Sequence, residues 1–293
     1  MDEAQVNEVE AFWDSLRTHP QSLPPLLPHG RADLPPAERN NYAYLLMLTE
    51  NHDYLNSSKA EIFLTTIRML TYQILHDPVT KSPNGYPVLI LCSDTVPEEH
   101  KAILRHDGAT VVEVDTIRAP TWEPGDPRWV DNLTKFQAWK LTQYDKIAMI
   151  DADIVLLRPL DGVFHDYSTK EREPLAHPPS PHKPDEPALP SSYILAAGSE
   201  QYERGHAFPP KRSEKMNAGF FVFRPSQELY DYYVGLFNVP QYWNVGWMDQ
   251  GLLNYAHRKD GPMPWHNIEG DWNVNWSNDN DIKGGIASIH EKV

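Results

Sequence analysis

Ile147-Ala148-Met149-Ile150-Asp151-Ala152-Asp153-Ile154-Val155-Leu156-Leu157 is an apolar run that delivers two carboxylates one residue apart and then resumes. In an extended strand, residues i and i+2 share a face. The spacing therefore predicts that Asp151 and Asp153 converge on one point while the small Ala152 turns away. Paired carboxylates at a strand end form a hard-oxygen site suited to Mg²⁺ or Mn²⁺, ions that usually bring phosphates with them. A metal–diphosphate site is the expectation that the rest of the chain must meet.

Upstream, strand and helix patterns alternate. Tyr42–Thr49 reads as a buried strand and Tyr54–His76 as a helix, with Phe63, Ile67, Leu70 and Ile74 at helical spacing. Pro87–Cys92 is a second strand, Pro97–His106 a helix with Gly108 past its end, and Thr110–Val114 a third strand. A helix over Leu133–Gln143 then leads to a fourth strand, Lys146–Ile150. Four alternations predict an α/β domain with a parallel sheet, in which ligands sit beyond the carboxyl ends of the strands. Asp151 and Asp153 fall there.

The flanks are less regular. Residues 1–40 form a proline-rich extension ahead of the domain at 41–293. The stretch His165–Lys215 has no sustained period and reads as an insert or lid; its histidines, 165, 177, 182 and 206, match no usual ligand spacing. Phe220–Phe223 and Ile286–His290 are strands, while Gln227–Phe237 and Asp249–His257 are helices.

Composition limits the function classes. The chain has 293 residues, a 40% apolar fraction and 9 Trp, which suits a packed globular core. A net charge of −15 with no basic stripe excludes a nucleic-acid backbone as partner, although a bound metal can still attract an anion. The lone Cys92 rules out an intrachain disulfide. No apolar stretch is long enough to span a bilayer, and the acidic start lacks a signal-peptide layout. As it stands the chain is expected in the cytoplasm, or in the Golgi lumen if an anchor precedes it. N-x-S/T sequons occur at Asn56, Asn132 and Asn275.

The aspartate pair after a strand also resembles the first motif of haloacid-dehalogenase-like phosphatases, but Gly270-Asp271 is followed by no acid at the spacing that family needs. Five elements point elsewhere. Leu48-Thr49-Glu50-Asn51 with Tyr54, Leu133-Thr134-Lys135-Phe136-Gln137-Ala138-Trp139-Lys140, and Asp151-Ala152-Asp153 with Pro159 and Phe164 come in order. They are followed by Met216-Asn217-Ala218-Gly219-Phe220 and Trp247-Met248-Asp249-Gln250-Gly251. Together they resemble the family 8 glycosyltransferases, the retaining group that includes glycogenin and bacterial galactosyltransferases.

That resemblance implies a GT-A fold, Rossmann-like with a mixed central sheet, and transfer of a hexose or N-acetylhexosamine from a UDP-sugar to a carbohydrate or glycosylated acceptor. It implies Mn²⁺, with Mg²⁺ as the alternative, on Asp151, Asp153 and His290. It also implies a donor pocket made by Leu48, Thr49, Asn51, Tyr54, Lys135, Asp151, Ala152, Asn217, Ala218 and Gly219. Asp249 and Gln250 are the expected catalytic pair, and Trp272–Trp276 resembles the stretch beside the acceptor cleft. The family pattern continues past the histidine to a lysine that contacts the diphosphate. Here Val293 comes three residues after His290, so either the sequence is truncated before that lysine or the lysine is absent; weakened turnover is one expectation, and a non-catalytic sugar-nucleotide or glycan-binding protein is the second reading.

Overall fold

The computed structural model of the protein describes residues 40–50, 57–118 and 129–291. The proline-rich extension up to residue 39, together with Asn51, Tyr54 and the Asn56 sequon, lies outside the described residues. Two apolar runs make the centre of the sheet, β1 (Tyr42–Leu48) and β2 (Val88–Ser93). Helix α1 (Ser57–Leu75) joins them, and α2 (Glu98–His106) leads on to β3 (Thr110–Val114). Gly108 follows α2 with φ +98°, a conformation in which a Cβ would be strained, so the helix ends there.

Strand β4 (Lys146–Ile150) then returns to the opposite side of β1. The remaining strands are β5 (Ile154–Leu156), β6 (Leu195–Ser199), β7 (Met216–Phe223), β8 (His266–Asn267), β9 (Val274–Asn275) and β10 (Ser288–His290). The main sheet runs β3-β2-β1-β4-β7-β6-β8, with β5-β10-β9 as a separate small sheet. The first four strands are parallel, as the alternation predicts, whereas β7 is antiparallel to both β4 and β6. The sheet is therefore mixed. Its order reverses between β1 and β4, the switch point where the carboxyl ends of parallel strands leave a crevice.

Alternation explains why these strands read as unbroken apolar runs. Ala43, Leu45, Leu89, Leu91, Ile147, Met149, Phe221 and Phe223 feed one core; Tyr44, Leu46, Val88, Ile90, Ala148, Ile150, Phe220 and Val222 feed the other. A strand covered on both faces has no polar side to show. The first core is closed by Phe136 and Trp139 against α3 (Gln227–Leu236) and α4 (Met248–Ala256), the second by Leu64, Ile67, Leu70 and Ile74 of α1.

Two expectations change. The helix expected over Leu133–Gln143 is a 3₁₀ segment, Asn132–Lys140, in which Leu133 through Trp139 are all buried. It has no solvent face for an amphipathic α-helix to present. The stretch expected as an insert or lid, 165–215, carries β6, paired to β7 inside the main sheet. Its short apolar run, Ile194–Ala197, was hidden among prolines.

Two histidines in this fold are held neutral. Burial pulls the pKa of His257 down to about 3, with Nδ1 donating to Met263 O at 2.7 Å and Nε2 facing the Tyr233 hydroxyl at 2.6 Å. Burial, aided by Arg172 and Lys259, brings His266 to about 4. Their folded pKa values lie below the unfolded value, so their contribution is complete above about pH 6.5 and is lost as pH falls towards 3–4. Each proton taken up on unfolding adds a slope of about 1.4 kcal/mol per pH unit. Denaturant melts between pH 6.5 and 4.5 should steepen accordingly, and His257→Gln should remove one proton from that slope.

Candidate active site

Strand β4 stops at Ile150. Asp151, Ala152 and Asp153 form the turn into β5, closed by Ile154 N–H donating to Asp151 O at 3.2 Å. The two aspartates thus meet through a turn rather than along an extended strand, because the chain must cross from the main sheet to the small one. Asp151 N–H donates to Gly219 O at 2.8 Å, which fixes the turn on β7.

The small sheet supplies the third group. β10 pairs with β5, placing His290 opposite Ile154, and with β9, placing it opposite Asn275. Ligand atoms of Asp151, Asp153 and His290 all lie within 4.8 Å of one another, and His290 Nε2 is 3.0 Å from Asp153 Oδ1. Among the described residues this is the one cluster of His, Cys, Asp and Glu with metal-holding geometry; the histidines of 165–215 do not join it. Both aspartates are about one-third exposed, while His290 is buried.

Gly219 makes the approach of His290 workable. A Cβ on Gly219 would lie 2.2 Å from His290 Cε1, so no larger residue fits there without moving the ring. The other face of the imidazole is set by Asn217. Its Oδ1 accepts from Gly219 N–H at 3.0 Å and faces His290 Nδ1 at 3.1 Å. An amide oxygen only accepts, so Nδ1 carries the hydrogen and Nε2 is the nitrogen offered to the aspartate side.

Lys135, expected to point a charge at the donor, is 97% enclosed between two carboxylates. Its Nζ donates to Asp249 Oδ2 at 2.7 Å and Asp151 Oδ1 at 3.1 Å, and reaches Ala218 O at 3.4 Å. Burial alone would lower its pKa, but Asp151 and Asp249 outweigh that and raise it. Asp151 is pushed up by enclosure of its carboxyl group, with Lys135 pulling the other way and Asp153 adding to the rise. A third of its side chain is still exposed, and the inner oxygen is Oδ1, which faces Lys135.

Asp249, buried at the start of α4, also meets Asn132 Nδ2 at 3.4 Å. Gln250 accepts from Ala218 N–H at 3.0 Å. The residue before the pair, Met248, sits at φ +41°, a strained conformation for a side chain of this size. Leu48 is buried at the end of β1 and Thr49 follows half-buried.

Of the Trp272–Trp276 stretch, Trp272 is a packing residue. It donates to Asp166 Oδ2 at 3.1 Å, lies under Arg158 and leaves room only for glycine at position 162. Asn273 and Asn275 are buried and hydrogen-bonded, to Ser288 Oγ and to Glu200 with Gln201 O respectively.

One participant escaped the sequence reading. Glu200, 2% exposed, accepts from Asn217, Gln250 and Asn275. The signal was weak: the short apolar run Ile194–Ala197 is followed by Gly198 and Ser199 before Glu200, whereas Asp151 directly follows Ile150.

The architecture is that of the GT-A glycosyltransferases. The apo-form glycosyltransferase GlyE of Streptococcus pneumoniae superposes with a TM-score of 0.51 at 15% identity, covering 86% of this chain and 54% of that one. No family model matches the chain. An uncharacterized protein of Schizosaccharomyces pombe is 29% identical over 268 residues, 82% of this chain and 69% of its own length. Galactinol synthase 2 of Solanum lycopersicum is 27% identical over 175 residues, 52% of this chain and 45% of that enzyme. These likenesses support a glycosyltransferase, similar to the family 8 type.

Removing the Lys135 ammonium would strand Asp249 and the inner oxygen of Asp151. Lys135→Met should therefore lower stability by about 3 kcal/mol, read as a reduced denaturant midpoint at neutral pH.

Proposed function

We propose that the chain transfers a hexose or N-acetylhexosamine from a UDP-sugar to a carbohydrate acceptor, with retention and dependent on Mn²⁺. The observation that carries this is the convergence of Asp151, Asp153 and His290 beside the switch point between β1 and β4. Two carboxylates and one imidazole make a mixed oxygen–nitrogen set that fits Mn²⁺, with Mg²⁺ as the alternative. The glycine cradle at position 219 and the Nδ1–H tautomer of His290 suit a site made for a ligand on Nε2. A divalent ion there supplies Lewis-acid stabilisation of the departing diphosphate.

The chain's own residues divide the remaining work. Leu48 and Thr49, with Asn51 and Tyr54, are the nucleoside-side candidates. Asn217, Ala218 and Gly219 approach the sugar from β7, and Ala152 lies between the two aspartates. Asp249 is the sugar-hydroxyl candidate on α4. In the geometry above it also holds Lys135, which keeps the negative charge of Asp151 and Asp249 balanced before any anion arrives.

Gln250 is the group assigned to the anomeric centre. An amide is a poor nucleophile, so retention is read as departure and attack on one face, with the Gln250 carbonyl dipole stabilising positive charge on the sugar. The acceptor then enters from the side the diphosphate leaves.

A screen of UDP-glucose, UDP-galactose and UDP-N-acetylglucosamine for released UDP tests the reading. Release should require Mn²⁺, stop with EDTA and resume on adding Mn²⁺ back. Asp153→Asn should weaken Mn²⁺-dependent UDP binding by about 10-fold or more, measured by calorimetry. Unchanged affinity would remove the metal assignment. Tight UDP binding without release from any donor, with added acceptors, would favour the non-catalytic sugar-nucleotide-binding alternative.

A further inference from the structure

Glu200 lies just past the end of β6, with its own N–H donating to Lys215 O at 2.8 Å. Its Oε2 accepts from Asn217 Nδ2 at 2.8 Å and from Gln250 Nε2 at 3.0 Å. Its Oε1 accepts from Asn275 Nδ2 at 2.8 Å. A carboxylate has no hydrogen to give, so every amide that faces it must present its NH₂ end.

That obligation fixes the opposite end of each amide. The oxygen of Asn217 is left for Gly219 N–H and His290 Nδ1. The oxygen of Gln250 is left for Ala218 N–H, and that of Asn275 for Gln201 N–H at 3.1 Å. One carboxylate oxygen is thus shared between the residue that orients His290 and the residue at the head of α4.

Burying a carboxylate is costly unless donors surround it, and here three amides do. An apolar side chain in its place would take the acceptor from the buried Asn217 NH₂ and the half-buried Gln250 NH₂, and leave Asn275 with Gln201 O alone.

We propose that Glu200 is a positioning residue for sugar transfer, holding Asn217 and Gln250 in fixed register so that His290 Nε2 faces the metal site and the Gln250 amide faces the donor from set directions. This rests on the reading of His290 and Gln250 given under Proposed function. Through Asn217, Glu200 keeps a hydrogen on His290 Nδ1 and Nε2 turned towards Asp153. Through Gln250, it uses one Nε2 hydrogen and leaves the second, with one Oε1 lone pair, for a sugar.

The first measurement needs no metal. In ¹⁵N-labelled wild-type protein, the side-chain NH₂ groups of Asn217 and Gln250 should be protected from hydrogen exchange. In folded Glu200→Ala both should lose about 10-fold or more of that protection. The second measurement is a double-mutant cycle on kcat. Glu200→Ala should cost about 10–100-fold alone and less than about 2-fold in the Gln250→Ala background, because the two act as one unit.

The Kd for Mn²⁺ without nucleotide should rise about 10-fold in Glu200→Ala, as for other supports of a metal-binding histidine. Where Glu200→Ala does not fold, Glu200→Gln serves. Its single acceptor oxygen cannot keep all three amides, so it should show the same losses in smaller measure.

Unchanged amide protection, or fully additive costs in the cycle, overturns the role of Glu200 while leaving the metal site standing. Absence of Mn²⁺ binding in the wild-type protein instead fells the functional reading, and the amide signals still show whether Glu200 holds its partners.

Discussion

The ammonium of Lys135 holds together parts of the molecule that have no other reason to meet. It comes from a 3₁₀ segment with no solvent face, and it touches the turn after β4, the backbone of β7 and the first residues of α4. Each of those parts carries a group assigned to the donor pocket. Two enclosed carboxylates without this cation would repel, and one would have to protonate or move outwards. The rigid frame of the cleft is therefore electrostatic as well as apolar. An anionic ligand entering the cleft would meet carboxylates already offset by a fixed internal cation.

A second constraint is steric and acts from the other side. The imidazole of His290 can reach the aspartate turn only because position 219 has no side chain. The small sheet, β5-β10-β9, sets the height of the ring, and Asn217 sets its rotation. Lys135 and Gly219 thus both fasten β7 to the turn at Asp151. That strand contributes Asn217, Ala218 and Gly219 as consecutive residues, which explains why such different side chains occupy adjacent positions.

Much of this was legible in the residues because it depends on local pattern. Tyr42–Leu48, Val88–Ser93 and Lys146–Ile150 are covered on both faces, so they read as continuous apolar runs and place Asp151 at a strand end. His290 was legible only as a member of a set, since the contact between β5 and β10 is a long-range pairing with no local signature. The turn at Asp151–Asp153 was taken for a strand because a two-residue spacing suits both. β6 and Glu200 were missed because prolines before the strand and polar loops after it conceal a run of only a few apolar residues. Charge pairing was the least visible feature: nothing in the sequence reveals that Lys135 faces inwards to Asp249 rather than outwards to a ligand.

The hydrogen bonds of Asn275 have a consequence for covalent modification. Asn275-Trp276-Ser277 has the form of an acceptor for an N-linked glycan, which requires the side-chain nitrogen to be exposed and free. In this fold that nitrogen is buried and donates to Glu200 and to Gln201 O, next to the strand that carries His290. An oligosaccharide on Asn275 would break the support of the cleft from within. A glycan at this position and the buried hydrogen bonds of Asn275 exclude each other, so any molecule folded this way carries Asn275 unmodified.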